Sequence, residues 1–494
     1  MSRLAGGQRL PPWTSYEDAR ACVRKAVQPI AEGLDLARRV KPYENRRFRP
    51  PQGEDRFLIC LDDFSAIPFL NDIVGVEEYQ HRARIRCVSP ACYVTVTPVD
   101  PDYDAYWSTR LGLTNDPRVP VEPPAGQQLA IARGCLEAST LDQLVSLIGA
   151  REHVVVHPYM SIEPCWELAR ALHRTSPSIN AVQVLGPAPP VTWIANDKGT
   201  FNEVVKAVLG PDWIPETRPA NDATGLARHL GALSTTWSAV GLKRTRCASA
   251  MGNQVFDSST LRGRPSEEIE RLVAEFLVRT EWVPGETVLA VAWESATVSP
   301  STQFWIGNRA GGVTCEGVYE QILAGDRKVF VGSRTSTLPD DVDRTLRQAG
   351  RWIALALQEM GYVGRCSFDH LVTGDPEGDY QVRFTECNGR WGGTSLPMAL
   401  VERVAPHYRR APGRFDPYRA QDVTFPGLAG ACFRDVLELM EDELYDPSTR
   451  RGRFILYNVG PLARFGKFDV IAMGATPEQA DAAVMEDLPR LLKV

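Results

Sequence analysis

The densest run of chemically capable side chains lies between Gly361 and Pro397, GYVGRCSFDHLVTGDPEGDYQVRFTECNGRWGGTSLP. Ser367 to Val372 reads as one strand, TGDPEGD as a turn by its Gly, Pro and Asp content, and Tyr380 to Cys387 as the returning strand. Side chains on a strand alternate faces, so Glu386, Asn388 and Arg390 point one way, Cys387 points the other, and Asp369 can sit across from the first set. Two carboxylates, an amide oxygen and a guanidinium would then meet at one strand end. Magnesium takes a few hard oxygen ligands and keeps waters and substrate phosphates, and Asp369, Glu386 and Asn388 supply oxygens of that kind. Arg390 offers a fixed fork for a phosphate oxygen. Gly392-Gly393 leave room for close backbone approach, and Thr394 and Ser395 add hydroxyls. The competing reading is a surface hairpin with solvated acids and an Arg in a salt bridge. It suits any one of these residues better than it suits the whole set followed by GGTS.

Other segments could handle phosphate. Val240-Gly241-Leu242-Lys243 reads as a strand ending in a lysine, a point charge suited to phosphates. It runs into CASAMGNQV, where Ser249, Ala250 and Gly252 can lay backbone amides against phosphate oxygens, although the loop is poorer in glycine than most of its kind. Lys198, in NDKGTFNEVVKAVLG, reads on its own as a solvated surface lysine. Thr287 to Glu294 (TVLAVAWE) is a buried strand with a terminal acid. Arg365 serves equally as a phosphate ligand or a salt-bridge partner, while His370 reads as core and His157 as structural.

These residues need a large scaffold to position them. The chain has 494 residues, which at roughly 100–200 residues per domain gives about three domains. A hydrophobic share of 44% and a charged share of 23% are those of an ordinary globular protein. The net charge of −6, with signs mixed, argues against a nucleic-acid partner. Eleven cysteines, scattered and without CxxC spacing, argue against a zinc site and for free thiols in a reducing cytoplasm. There is no apolar run of membrane-spanning length and no secretory-type start. Phe57 to Leu61 and His153 to Val156 read as buried strands, separated by a helical stretch from Gln127 to Gly149. They are followed by a helix that Ser161 would cap, with Pro164 in its first turn. Strands alternating with helices predict an open α/β layer. Further helices are expected at Asp18–Arg39, from Asn196 or Asp197 to Leu209, at Ser266–Thr280, at about Asp340–Met360, at Val436–Leu444 and at Thr476–Leu492. Lys41 to Glu54 reads as a linker. The expected organisation is an N-terminal extension and linker over 1–54, an α/β domain over 55–190, a catalytic domain over 191–410 and a small α+β domain over 411–494.

The pattern D…ExNxRxGGxS, preceded by a helix and Gly-Tyr-Val-Gly, resembles the C-terminal half of the ATP-grasp fold. The resemblance implies an ATP-grasp fold of mixed α/β and α+β class, with an open α/β domain before it and a small α+β domain after it. It assigns magnesium to Asp369, Glu386 and Asn388, with two ions expected, and the transferred phosphate to Arg390. It makes Lys198 and Lys243 nucleotide lysines, Ala292 and Trp293 the backbone that meets the adenine edge, Glu294 the ribose acid, and Arg365 a second phosphate ligand. A narrower likeness rests on HPYMSIEPCWELA, CSFDHLV, FTECNGRWGGTS and GKFDVIAMG in that order. It is to the ATP-grasp peptide ligases of pheganomycin-type biosynthesis, which join a guanidino-bearing amino acid to a peptide amine, and it spans roughly residues 55 to 494.

The function these resemblances imply is an ADP-forming ligase that converts a small-molecule carboxylic acid to an acyl phosphate and passes it to an amine or peptide. Members are often dimers. The segment Ser249 to Asn253 is the expected lid. The alternatives are an ATP-grasp ligase with another acceptor in amino-acid or nucleotide metabolism, and a nucleotide-binding module without turnover.

Overall fold

Phe57-Leu58-Ile59-Cys60-Leu61 is buried along its whole length, the mark of a central strand in a parallel sheet covered on both faces. The computed structural model, which describes residues 3–13, 15–43, 56–68, 73–88, 90–176, 178–247, 251–325 and 329–494, places it there. Five parallel strands run in the order Arg118–Pro120, Ala91–Thr95, Arg56–Leu61, His153–Pro158, Ala181–Val184. Chain order reverses between Arg56–Leu61 and His153–Pro158. The residues just past their carboxyl ends, Asp62-Asp63 and Tyr159-Met160, therefore lie at the position where open α/β sheets bind ligands.

A second sheet is antiparallel and small, in the order Thr217–Ala220, Val288–Ala292, Ala239–Arg244, Asn253–Asp257. The helices Ala223–Thr236 and Ser266–Arg279 close one face of it around Leu226, Leu230, Val273 and Phe276. Asp222 caps the first of these helices by accepting from the Gly225 amide.

The third sheet has nine strands, in the order Arg3–Leu4, Asp379–Asn388, Gly364–Gly374, Pro300–Ile306, Val313–Ala324, Val329–Thr335, Tyr418–Thr424, Lys467–Met473, Phe454–Tyr457. The strands of the C-terminal α+β region thus extend the large sheet, joined through Val329–Thr335. Helices Asp340–Glu359, Lys198–Leu209 and Tyr16–Gly33 cover the end of this sheet that carries the hairpin. The N-terminal segment belongs to the same body. Arg3–Leu4 pairs with Asp379-Tyr380, and Arg20 and Arg24 both reach Glu359 at the end of the long helix, at 2.5 and 2.8 Å.

Several local expectations change. Ser161 caps nothing; its hydroxyl donates to Pro187 O and accepts from the Trp166 indole, and the helix Glu163–Thr175 starts behind Ile162 with Pro164 in its first turn. The expected helix over Asp18–Arg39 is two helices, Tyr16–Gly33 and Leu36–Val40, broken where Asp35 takes a left-handed φ of 47°. Of the linker, residues 44 to 54 lie outside the described residues. All eleven cysteines are free, and no described helix is long and apolar enough to cross a membrane.

Candidate active site between the two antiparallel sheets

The hairpin places its chemistry by register. Strands Gly364–Gly374 and Asp379–Asn388 pair so that Asp369 lies opposite Glu386 and Ser367 opposite Asn388, with a bulge immediately after Asp369. On its other side Asp369 lies opposite Ser301. The Ser301 hydroxyl donates to Asp369 Oδ1 at 2.7 Å, and the Asn388 amide donates to Oδ2 at 2.9 Å. Gln303 in turn holds the Ser301 oxygen at 3.1 Å. The Arg390 guanidinium donates to Asn388 Oδ1. Asp369, Glu386, Asn388 and Arg390 therefore converge at one strand end.

The lysines reach this group from other elements. Asp197 caps the helix Lys198–Leu209 through the Thr200 amide, which fixes Lys198 on its first turn. Read alone, Lys198 looked solvated, but it is buried. Its Nζ makes a 2.8 Å ion pair with Glu386 and a 3.0 Å hydrogen bond to Cys247 O. A buried ammonium is tolerable only with such partners. Lys243, near the end of Ala239–Arg244, holds its Nζ 4.8 Å from the centre of the Trp293 ring. Lys198, Asn202, Lys243, Leu289, Val291 and Thr385 line one small pocket between the small and large sheets.

The electrostatics follow from crowding. Burial pushes the Asp369 carboxyl well above the usual range, and the facing Glu386 charge adds to that. Burial would also raise Glu386, but the Lys198 ion pair, with Lys243 and Arg390 behind it, outweighs burial and holds the carboxyl low. Lys243 is lowered to about 8 by burial, against the pull of Glu386. A divalent cation would relieve the pairing of two facing carboxylates. No three His, Cys, Asp or Glu residues converge as a metal cage among the described residues. Magnesium held by one or two carboxylates and substrate phosphates needs no such cage, so this donor set fits it.

The remaining predicted residues are distributed less simply. Of the expected lid, Ser249 and Ala250 lie outside the described residues. Gly252 sits so close to Cys247 and Arg244 that a Cβ there would collide. The amides of Ala292 and Trp293 are both committed to the sheet, to Glu216 O at 2.8 Å and Ala239 O at 3.0 Å. An adenine edge therefore cannot take these two N–H groups without breaking sheet hydrogen bonds. Glu294 is paired with Arg383 at 3.1 Å. Arg365 takes the salt-bridge alternative: it lies 2.6 Å from Glu316 and 4.4 Å above the Trp391 ring. His370 is core, bonded to the Thr302 hydroxyl at 3.0 Å, and His157 is buried against Trp391. Sequence reasoning misses Ser301, Gln303 and Glu316, because their strands carry no motif and only the register shows what they face.

No family model matches the chain, and no curated protein matches it. Solved structures do. N5-carboxyaminoimidazole ribonucleotide synthetase from Thermus thermophilus aligns with a TM-score of 0.50 at 13% identity, covering 88% of this chain and 98% of that one. The biotin carboxylase domain of the Hydrogenobacter thermophilus 2-oxoglutarate carboxylase, a dimer in complex with MgADP, ADP and bicarbonate, aligns with a TM-score of 0.51 at 13% identity, covering 88% and 89%. Rhizobium etli pyruvate carboxylase aligns with a TM-score of 0.51 at 14% identity, covering 87% of this chain and 36% of that one. With a parallel sheet leading into a small antiparallel sheet and a large one that is antiparallel but for its edge strand Arg3–Leu4, the two facing each other across a lysine-lined pocket, the chain has the ATP-grasp fold.

Proposed function

We propose that this protein is an ATP-dependent ligase that phosphorylates a carboxylic acid and joins the resulting acyl phosphate to an amine, releasing ADP and phosphate. The observation that carries the reading is the facing pair Asp369 and Glu386, with Glu386 paired to Lys198, which with Lys243 lines a small pocket between two sheets. In this reading Asp369, Glu386 and Asn388 hold magnesium, which neutralises charge on the phosphates. Lys198 and Lys243 bind those phosphates, and Arg390 meets the transferred group. Such transfers rest on positioning and charge neutralisation more than on covalent help from the protein. The apolar side chains of Leu289 and Val291 take the base, and a water-excluding closure protects the acyl phosphate.

The finer reading is that the acid is an amino acid and the acceptor a peptide amine, as in peptide natural-product biosynthesis. Its support is the order of sequence strings named above. A ligase using another acid in small-molecule metabolism competes with it, and the neighbours whose names contain carboxylase make bicarbonate the acid to try beside amino acids. The protein works where its substrates are soluble, and a homodimer is the expected assembly.

The test is thermal stability with and without magnesium-ATP for the wild type and Glu386→Gln, followed by ADP release with bicarbonate and with paired amino acids. A ligand at about 100 times its dissociation constant adds about 2.7 kcal/mol. The wild type should gain that only when metal and nucleotide are both present, and the variant should gain little. No response of the wild type to magnesium-ATP would sink the assignment. A response without ADP release from any pair would leave a binding module in its place.

A further inference from the structure

Gly389 lies between Asn388 and Arg390, one residue past the end of the strand Asp379–Asn388, and is buried. Beyond the ladder its N–H and C=O need other partners, because buried backbone groups are nearly always paired. Both go to one side chain. The Gly389 amide donates to Asn196 Oδ1 at 3.1 Å, and Asn196 Nδ2 donates to Gly389 O at 3.3 Å. A carboxamide carries a donor and an acceptor side by side, which is what the two backbone groups of one residue require. The approach is close: a Cβ on Gly389 would lie 2.7 Å from Ala195 Cβ and 2.7 Å from Asn196 Nδ2. Glycine leaves that space open.

Asn196 is itself held. It ends the helix Pro189–Asn196, its Nδ2 also donates to Thr192 O at 2.8 Å, and the Thr192 hydroxyl donates to Ser161 O at 2.7 Å. Ser161 follows the strand His153–Pro158 of the parallel sheet, as does Tyr159, whose carbonyl accepts from the Trp391 amide at 3.0 Å. The backbone on either side of Arg390 is therefore fastened to the parallel-sheet part of the chain, through Asn196 at Gly389 and through Tyr159 at Trp391. Asn388 has other anchors, since it lies opposite Ser367 in the ladder and its amide holds Asp369 at 2.9 Å. The Arg390 guanidinium leans on Asn388 Oδ1, but its backbone lies beyond the ladder, so its place depends on these two fastenings.

We infer that Asn196 is a positioning residue for the proposed phosphoryl transfer: by holding both backbone groups of Gly389 it sets where Arg390 presents its guanidinium. Asn196 touches no reacting atom in this role. The next two residues serve the same site, since Asp197 caps the helix Lys198–Leu209 and Lys198 pairs with Glu386. Three consecutive residues, 196–198, therefore register the parallel-sheet part against both the carboxylate and the arginine of the hairpin. The inference rests on the ligase reading for what Arg390 meets, the phosphoryl group that is transferred. Such a transfer depends on placement, and a shift of about 1 Å costs roughly 100-fold.

The test is calorimetric titration of the full chain with magnesium-AMP-PNP, which keeps the terminal phosphoryl group, and with magnesium-ADP, which lacks it. Asn196→Leu removes both hydrogen bonds at similar volume. It should weaken magnesium-AMP-PNP about tenfold while magnesium-ADP stays within about twofold. Gly389→Ala is a second variant, which pushes the segment off Asn196 from the other side and should show the same split even if Asn196→Leu fails to fold. Arg390→Met supplies the readout that a purely structural role would not move. In that background Asn196→Leu should cost no further affinity for magnesium-AMP-PNP, whereas its cost in urea denaturation should remain. The inference is overturned if the folded variants Asn196→Leu and Gly389→Ala bind magnesium-AMP-PNP as the wild type does, or if the loss from Asn196→Leu persists in full beside Arg390→Met. A wild type that binds neither nucleotide sinks the ligase reading and the inference with it; a wild type that binds both while the variants match it sinks the inference alone.

Discussion

Lys198 and Glu386 form a 2.8 Å ion pair that ties the first turn of one helix to the end of a strand, and Glu386 is also the carboxylate facing Asp369. Before nucleotide binds, the lysine neutralises the acid proposed to hold metal. In the proposed function two opposed tasks, folding and phosphate binding, fall on this one ammonium. Removing it leaves a largely buried carboxylate beside another, which costs roughly 3 kcal/mol or more for a buried pair. Lys198→Met should therefore lower stability in urea denaturation by about that amount and also remove the gain from magnesium-ATP. Adding Glu386→Gln to it should restore much of the stability and none of the nucleotide response. If Lys198→Met is as stable as the wild type, the ion pair is not the one described.

Lys243 gives a pH dependence. Burial, against the pull of Glu386, lowers its pKa from 10.5 to about 8, so the folded chain binds this proton less tightly than the unfolded chain does. Below about pH 8 the ammonium is present in both states and its burial cost is felt in full. Between that pH and the ordinary lysine range the unfolded chain holds more protons, and stability of the nucleotide-free protein rises with pH. Lys198 is shifted the other way: burial lowers it, but Glu386 more than compensates. The stability it contributes is lost only above the ordinary lysine range. Urea midpoints at about pH 8 and about pH 10 should therefore differ in the wild type and differ less in Lys243→Met. An unchanged slope in the variant would mean that another group titrates.

The hairpin was legible because strand alternation and residue type agree there. The spacing of Glu386, Asn388 and Arg390 and the position of Asp369 needed only a turn at TGDPEGD, and the register bears this out. The resemblance singles out Lys198, but its burial and its pairing with Glu386 are not legible, since nothing local shows that a lysine on a first helical turn will meet an acid brought in by a distant strand. The same holds for Ser301, which reaches Asp369 only through the pairing of Pro300–Ile306 with Gly364–Gly374, and for Gln303, which holds the Ser301 hydroxyl. The Ala292 and Trp293 amides show the converse. A strand end reads as a free hinge in sequence, but here the sheet claims both donors. The C-terminal strands were each readable, while their place in the large sheet depended on Val329–Thr335, which carries no motif.

Arg365 and Glu316 allow the salt-bridge and phosphate readings of that arginine to be separated. The pair is 2.6 Å apart, with the arginine side chain 7% exposed and lodged against Trp391. A structural role predicts that Arg365→Met destabilises by roughly 3 kcal/mol, through an uncompensated Glu316, while magnesium-ATP still stabilises the folded variant. Arg365→Met with Glu316→Gln should recover most of the loss. If the double variant folds well but no longer responds to magnesium-ATP, Arg365 acts on phosphate.

Gly241 sets the distance between the strand carrying Lys243 and the ring beneath that lysine. A Cβ at this glycine would lie 2.9 Å from Gln254 O and 2.9 Å from the Trp293 ring. The first contact is backbone of the paired strand Asn253–Asp257 and cannot yield without opening the ladder. The ring contact is the one that a side-chain shift can relieve, and such a shift moves the surface 4.8 Å from Lys243 Nζ. Gly241→Ala should cost about 1–3 kcal/mol, as overpacking does. Magnesium-ATP binding should weaken roughly tenfold, equivalent to about 1.4 kcal/mol. Trp293→Leu relieves the ring contact but not the one with Gln254 O, so the double variant should regain only part of the lost stability in urea denaturation. It should not regain nucleotide affinity, because the aromatic face under the ammonium is gone. Recovery of both would show that Gly241 matters only for packing, and that Lys243 needs no ring to hold it at the phosphate end of the cleft.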